Sequence, residues 1–174
     1  DAIAPPVDPL AELKPRPIVR EWTVAELESA ANGKLQHRDF KNGRDLFQIG
    51  ACFRCHRVRG EGGMVGPDLT GAGGRFNNHD LLEALIEPSK VISDQYQQTV
   101  FLLEDGRVVE GRVINLNGDN LMVLTDMFDP SRLETIERGQ VEQMQPSPNS
   151  MMPKGLLNTL TEEDDSRPDG LPPR

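Results

Sequence analysis

Residues 51–59 read ACFRCHRVR and hold the chain's two cysteines, Cys52 and Cys55, with His56 directly behind the second. Two cysteines with two residues between them, followed at once by histidine, form the C-x-x-C-H pattern of covalent c-type haem attachment. Phe53 and Arg54 set the thiols at the spacing of the two vinyl groups of one porphyrin, and His56 follows as proximal iron ligand with no further loop. Other readings of the pair are weaker. Zinc wants four ligands, there is no second C-x-x-C, and His37 and His79 lie at spacings of no common finger. A thioredoxin-type pair follows a strand in a βαβ unit, whereas the residues ahead of Cys52 read as helix. A disulfide across two residues is strained.

Working outward, DFKNGRDLFQIG predicts a helix over 39–49. Asp39 is its cap, and Phe40, Gly43, Leu46 and Phe47 lie on one side. Further upstream, Thr23 and Glu26 form a T-x-x-E capping box for a helix over 23–31, with Gly33 as its stop. Residues 1–20 carry five prolines and read as an extended linker between domains. The start DAIAPPVDPL has neither the basic n-region nor the apolar h-region of a signal peptide.

Downstream of the motif, residues 59–76 are crowded with glycine and predict a loop whose backbone approaches something closely. Within GPDLTG (66–71), Pro67 can pack flat on a haem face, and its carbonyl can accept from the His56 Nδ1–H. Such a bond orients a ligating imidazole and strengthens its donation. A helix restarts near Asn78 with Leu81, Leu82, Leu85 and Ile86 on its apolar face, and Pro88 ends it.

From about residue 95 the period shifts to two. QTVFLLEDGRVVEGRVINLNGDNLMVLTDMF predicts strands joined by turns at Asp105-Gly106 and Asn117-Gly118. LETIERG and QVEQMQ add two short strands. Residues 95–145 therefore read as a small antiparallel sheet, with the rhythm of SH3-like or Sm-like barrels, inserted in a helical protein. The stretch is acidic and lacks basic or aromatic stacking positions, which argues against RNA. A lid carrying the methionine loop across the haem, or a docking or dimerising platform, suits it better. SMMPKGLLNTLTEED predicts one short helix over 154–161, and residues 164–174 read as a disordered tail. The fold class expected is mainly α with an inserted antiparallel β-sheet, α+β overall, with one domain over 21–163.

The formal charge of −9 argues against nucleic acid and anionic membrane as partners. No apolar run approaches the roughly 20 residues that cross a bilayer. The acidic balance points instead to a redox protein with a basic docking face.

NGRDLF, CFRCH, GPDLTGAGGRF, LLEALIEPSKVISDQY and SMMPKGLLNTLT together resemble the haem-binding cytochrome c domain of large planctomycete and verrucomicrobial proteins. The resemblance covers roughly residues 20–163. It implies a class I type cytochrome c fold, and in that family the domain often closes a chain that begins with a sugar-dehydrogenase-like propeller or helical repeats. A second iron ligand is needed opposite His56. Met151 and Met152 stand in an irregular stretch before Pro153, as a ligand loop would. The family's S-x-M-P pattern aligns with Ser150, Met152 and Pro153 and selects Met152, with Met151 as second choice. Met64 and His79 are weaker candidates, and Met122 and Met127 read as packing in the sheet. Phe47, Phe53, Leu69, Phe76, Leu82, Leu85 and Ile86 are candidate haem wall. Arg75 and Tyr96 are candidate partners of the haem propionates. One departure is plain: Pro168, Gly170, Pro172 and Pro173 forbid the longer C-terminal helix of class I cytochromes. Helix 23–31 with Trp22, or a second copy of the chain, is then needed to cover the face it leaves.

The function expected is single-electron transfer by one covalent haem c held by Cys52 and Cys55, ligated by His56 and Met152, in a non-enzymatic, extracytoplasmic carrier. Two rivals remain: a gas-reactive or peroxidase-like haem with a displaceable sixth ligand, and an interaction module in which haem is a structural staple.

Overall fold

A computed structural model describes residues 17–31 and 39–160. His37, most of the proline-rich linker and the tail over 164–174 lie outside the described residues.

Helix α1 (Val24–Ala31) opens on the expected capping box, since Glu26 Oε2 accepts from the Thr23 N–H at 2.9 Å and Thr23 Oγ1 accepts from the Glu26 N–H at 3.3 Å. Helix α2 (Phe40–Ile49) is capped by Asp39, whose carboxylate accepts from the Lys41 and Asn42 N–H groups at 2.8 and 3.0 Å. Ala51, at φ 58°, then turns the chain into the single turn α3 (Cys52–Cys55). A hairpin of two-residue strands follows, β1 (Arg57–Val58) with β2 (Glu61–Gly62). It falls inside the stretch expected to be loop. Two-residue strands carry no alternation to read. Helix α4 (Asn78–Ile86) is capped by Asn77, which accepts from the Asp80 N–H at 2.8 Å, and it stops before Pro88.

After a 3₁₀ turn at Asp94–Tyr96 the sheet begins: β3 (Thr99–Leu103), β4 (Val108–Asn117), β5 (Asn120–Leu124), β6 (Leu133–Glu137) and β7 (Val141–Pro146). Its order is β6-β5-β4-β3-β7, antiparallel throughout. Four strands run as a meander, and the fifth returns after a 3₁₀ turn to pair with the first. Strand β4 serves two ladders, its first half pairing with β3 and its second with β5, with an irregularity between Val113 and Asn115. Gly111 sits at the changeover. A Cβ there would stand 2.4 Å from Leu124 O, so only glycine permits the crossing.

The expectation of a mainly helical molecule is corrected. Strands hold at least as many described residues as helices, and the fold is mixed α and β. The closed core also lies in the sheet, where Phe101, Leu103, Val109, Leu121, Val123 and Ile136 are buried together. Two-faced strands of this length bury a filled interior by themselves, whereas the short helices have only one stripe each to offer.

The expected helix over 154–161 is a 3₁₀ turn, Leu156–Thr159, entered through Gly155 at φ 84°. It meets the first described residues. Asn158 O accepts from the Val19 N–H at 2.8 Å, and Leu160 O accepts from the Trp22 indole N–H at 3.4 Å. Helix α4 packs against both α1 and this turn.

Candidate functional site

The site is built on α3 and the loop that folds back over it. Cys52 and Cys55 stand one helical turn apart, both half-buried and both free thiols. Burial pushes both thiols above their ordinary pKa; for Cys55 the nearby Arg54 works against that rise. The backbone N–H of His56 still donates to Cys52 O at 2.9 Å, so the histidine is fixed by the turn that carries the cysteines.

The glycine-rich loop holds that turn from the other side. Gly63 N donates to Phe53 O at 2.8 Å, Gly66 N to Cys55 O at 2.7 Å and Leu69 N to Arg57 O at 2.8 Å. The close approach is sterically strict. A Cβ on Gly63 would fall 1.9 Å from Arg54 O, and one on Gly66 would fall 2.7 Å from His56 Cε1 and 2.9 Å from its Nδ1. Gly66 thus lies flat on the imidazole. His56 Nδ1 is 2.9 Å from Pro67 O. A carbonyl only accepts, so Nδ1 carries the proton and Nε2 is left as the lone-pair nitrogen. No hydrogen bond among the described residues engages Nε2.

Around this centre Phe47 meets Phe53 edge-on, with ring centroids 5.0 Å apart. Leu69, Leu82, Leu85 and Ile86 are half-buried, and Phe76 is 51% exposed. Among the described apolar side chains outside the sheet, Val65 and Pro88 are buried. This surround suits a flat apolar group. It presents half-buried hydrophobic faces, two unpaired thiols on one turn and a histidine held with Nε2 free. Those residues fit haem c.

The methionine segment is brought back by the sheet. Thr99 pairs with Pro146, so the sheet leaves and re-enters the helical part at one place. Beyond it Gln98 Nε2 donates to Asn149 O at 3.1 Å, Ser150 N to Ser89 Oγ at 3.0 Å and Met152 N to Ser150 Oγ at 3.1 Å. Met151 and Met152, both half-buried, are therefore fastened to the residues just after α4. The Ser89–Ser150 link was not foreseen; paired serines 61 residues apart leave no periodic trace.

Arg75 is exposed, with its guanidinium 5.9 Å from the Phe76 ring and donating to Asp68 O at 3.3 Å. Tyr96 is half-buried beneath the Arg112 guanidinium, 5.0 Å from its ring centroid. His79 is engaged elsewhere, with Nδ1 2.8 Å from Glu28 Oε1. Met122 accepts from Thr135 Oγ1 at 3.7 Å across the β5–β6 ladder.

Residues 40–100 match the family model described as Cytochrome c, from the start of α2 to the first residues of β3. No curated protein matches the chain. No helix among the described residues is long and apolar enough to cross a membrane. The match supports a haem-binding domain of the cytochrome c kind over residues 40–100, with an electron-transfer role.

Proposed function

We propose that this chain holds one c-type haem, tethered by thioethers from Cys52 and Cys55 and ligated by His56 and Met152, and that it passes single electrons between protein partners outside the cytoplasm. When bound, the haem supplies a one-electron ferric/ferrous couple. The observation that carries the reading is the His56 imidazole, clamped between Gly66 and the Pro67 carbonyl directly after a turn that bears two free thiols. That clamp fixes the tautomer, orients the ring and keeps Nε2 as the donor.

The chain has three further tasks in this role. Half-buried aliphatic faces on α4 and the loop exclude water from the ring. The Ser89–Ser150–Met152 chain of hydrogen bonds positions a thioether, a weak donor that raises the potential of His-ligated iron. No acid, base or nucleophile is required. The resemblance to the planctomycete and verrucomicrobial domains adds the proposal that the chain receives electrons from a dehydrogenase domain in the same protein.

Optical spectra of both redox states, with Met152→Ala beside wild type, test this. The wild type is expected to show the weak far-red ferric band of thioether-ligated haem and no reaction with carbon monoxide. Met152→Ala is expected to lose the band and to bind carbon monoxide when reduced. A wild type that already lacks the band and binds carbon monoxide sinks the Met152 assignment and favours the gas-reactive rival.

A further inference from the structure

The connection between β5 and β6 meets the attachment motif through an aromatic ring. The Arg54 guanidinium, carried between the two cysteines, lies 5.6 Å from the centre of the Phe128 ring. Phe128 belongs to the connection between β5 and β6. The other two hairpins of the meander turn tightly, at Asp105-Gly106 and Gly118-Asp119, whereas this connection spans residues 125–132. It is also held in shape. Asp126 Oδ1 accepts from the Phe128 N–H at 2.8 Å, Asp129 Oδ1 accepts from Ser131 Oγ at 2.6 Å, and Arg132 N donates to Asp129 O at 3.1 Å. Phe128 nevertheless stays 58% exposed. A long, braced loop thus ends in an aromatic ring that shelters little of itself and stacks on the motif's own arginine.

The charge here is opposite to the charge of the chain. Residues 50–60 carry Arg54, Arg57 and Arg59 and no acid, within a chain of formal charge −9. None of the three makes an ion pair within 4 Å among the described residues, whereas Arg44 nearby is neutralised by Glu61. The opposing acids are Asp68, beside Arg57, and Asp126 and Asp129 in the braced loop. Arg132 offsets one of them, so the balance stays positive. Exposed aromatic rings and arginines are the groups that anchor protein interfaces, and a ring beneath a guanidinium holds it ready.

We propose that Phe128 and Arg54, within the positive field of Arg57 and Arg59, form one docking surface for the acidic face of an electron-transfer protein. This deepens the electron-transfer reading and rests on it. Electrons then enter or leave at the thioether edge, where the local charge and not the net charge steers the encounter. The net charge alone points to a basic partner, and the surface at the motif inverts that expectation.

The test uses the haem-loaded full chain. The ferrous protein gives one electron to hexacyanoferrate(III), which becomes hexacyanoferrate(II), or to tris(phenanthroline)cobalt(III), which becomes the cobalt(II) complex. Rates are followed by stopped flow as ionic strength rises from about 0.01 M to about 0.1 M and the Debye length shrinks from roughly 30 to roughly 10 Å. The anionic oxidant is expected to slow several-fold and the cationic one to quicken, with Arg59→Glu reversing both trends. A second readout moves no electrons: oxidised flavodoxin, an acidic protein, is titrated into the ferric chain and amide shifts are mapped. Shifts are expected at residues 53–60 and 125–131, and Phe128→Ala is expected to weaken binding several-fold. Salt trends of the sign set by −9, or shifts confined to other surfaces, overturn the proposal. A preparation without covalent haem overturns instead the function on which it rests, and the titration, repeated on that haem-free chain, still reads the surface.

Discussion

Gly66 shows how tightly one residue can govern the site. Its missing side chain is what lets the loop lie on the His56 ring, and its neighbour Pro67 supplies the carbonyl that fixes the ring's proton. Gly66→Ala places a methyl group 2.7 Å from Cε1, closer than carbon atoms tolerate. The ring must turn or the loop must lift. Overpacking of this kind costs about 1–3 kcal/mol. The variant is therefore expected to melt several degrees lower and to show weakened His56–Pro67 hydrogen bonding, read as a lowered ligand-field strength in the ferric spectrum. Unchanged melting and spectrum would show that the loop yields freely. The motif residues Cys52, Cys55 and His56 and the possibility of the Pro67 bond were legible in the sequence, because all lie within 16 residues of one another. The Phe128–Arg54 contact was not, since nothing local marks two residues 74 apart as neighbours.

At the scale of elements, α1 is tied to α4 by His79, whose ring meets Glu28 of α1 at 2.8 Å and Glu83 of its own helix at 3.7 Å. The hydrogen bond to Glu28 raises the His79 pKa, with the charges of Glu28, Glu83 and Asp80 adding to it. A group whose folded pKa is raised stabilises the fold fully below its unfolded pKa, about 6.5, and loses that contribution as pH climbs through the folded value. The melting difference between wild type and His79→Ala is thus expected to be larger at pH 5 than at pH 8.5. An equal difference at both would show that the tether does not depend on charge. The sheet behaves as a second element with its own core. Phe101 is 1% exposed at its centre, and Phe101→Ala is expected to cost about 3–5 kcal/mol, measurable by urea denaturation. The strands and turns of this sheet were readable because alternation and Asp-Gly or Asn-Gly turns are local features. The two-residue hairpin at 57–62 was not, since it is held by backbone bonds to α3 and the loop rather than by its own pattern.

For the whole molecule, the balance between parts was the least legible feature. The short helices and the haem motif suggested a helical protein with a small addition, yet the sheet carries the dense core and the helical part carries Cys52, Cys55 and His56. The two are joined where β3 and β7 start and end, so the pairing of β7 with β3 returns the methionine segment to the end of α4. The chain's described ends also meet, through Val19 and Trp22 on one side and Asn158 and Leu160 on the other. That contact joins the segment ahead of α1 to the 3₁₀ turn at Leu156–Thr159. Trp22→Ala is expected to loosen it, seen as faster amide exchange in α1 and in residues 156–160, while the sheet's exchange stays unchanged.

All of this depends on thioether bonds at Cys52 and Cys55. The direct measurement is the intact mass of the chain, matured in a host that attaches c-type haem and then denatured in acid. The account predicts one species heavier than the polypeptide by one haem, with its colour retained on the protein and lost in Cys52→Ser/Cys55→Ser. A species at the polypeptide mass, with pigment absent or extracted into acidified organic solvent, would contradict it.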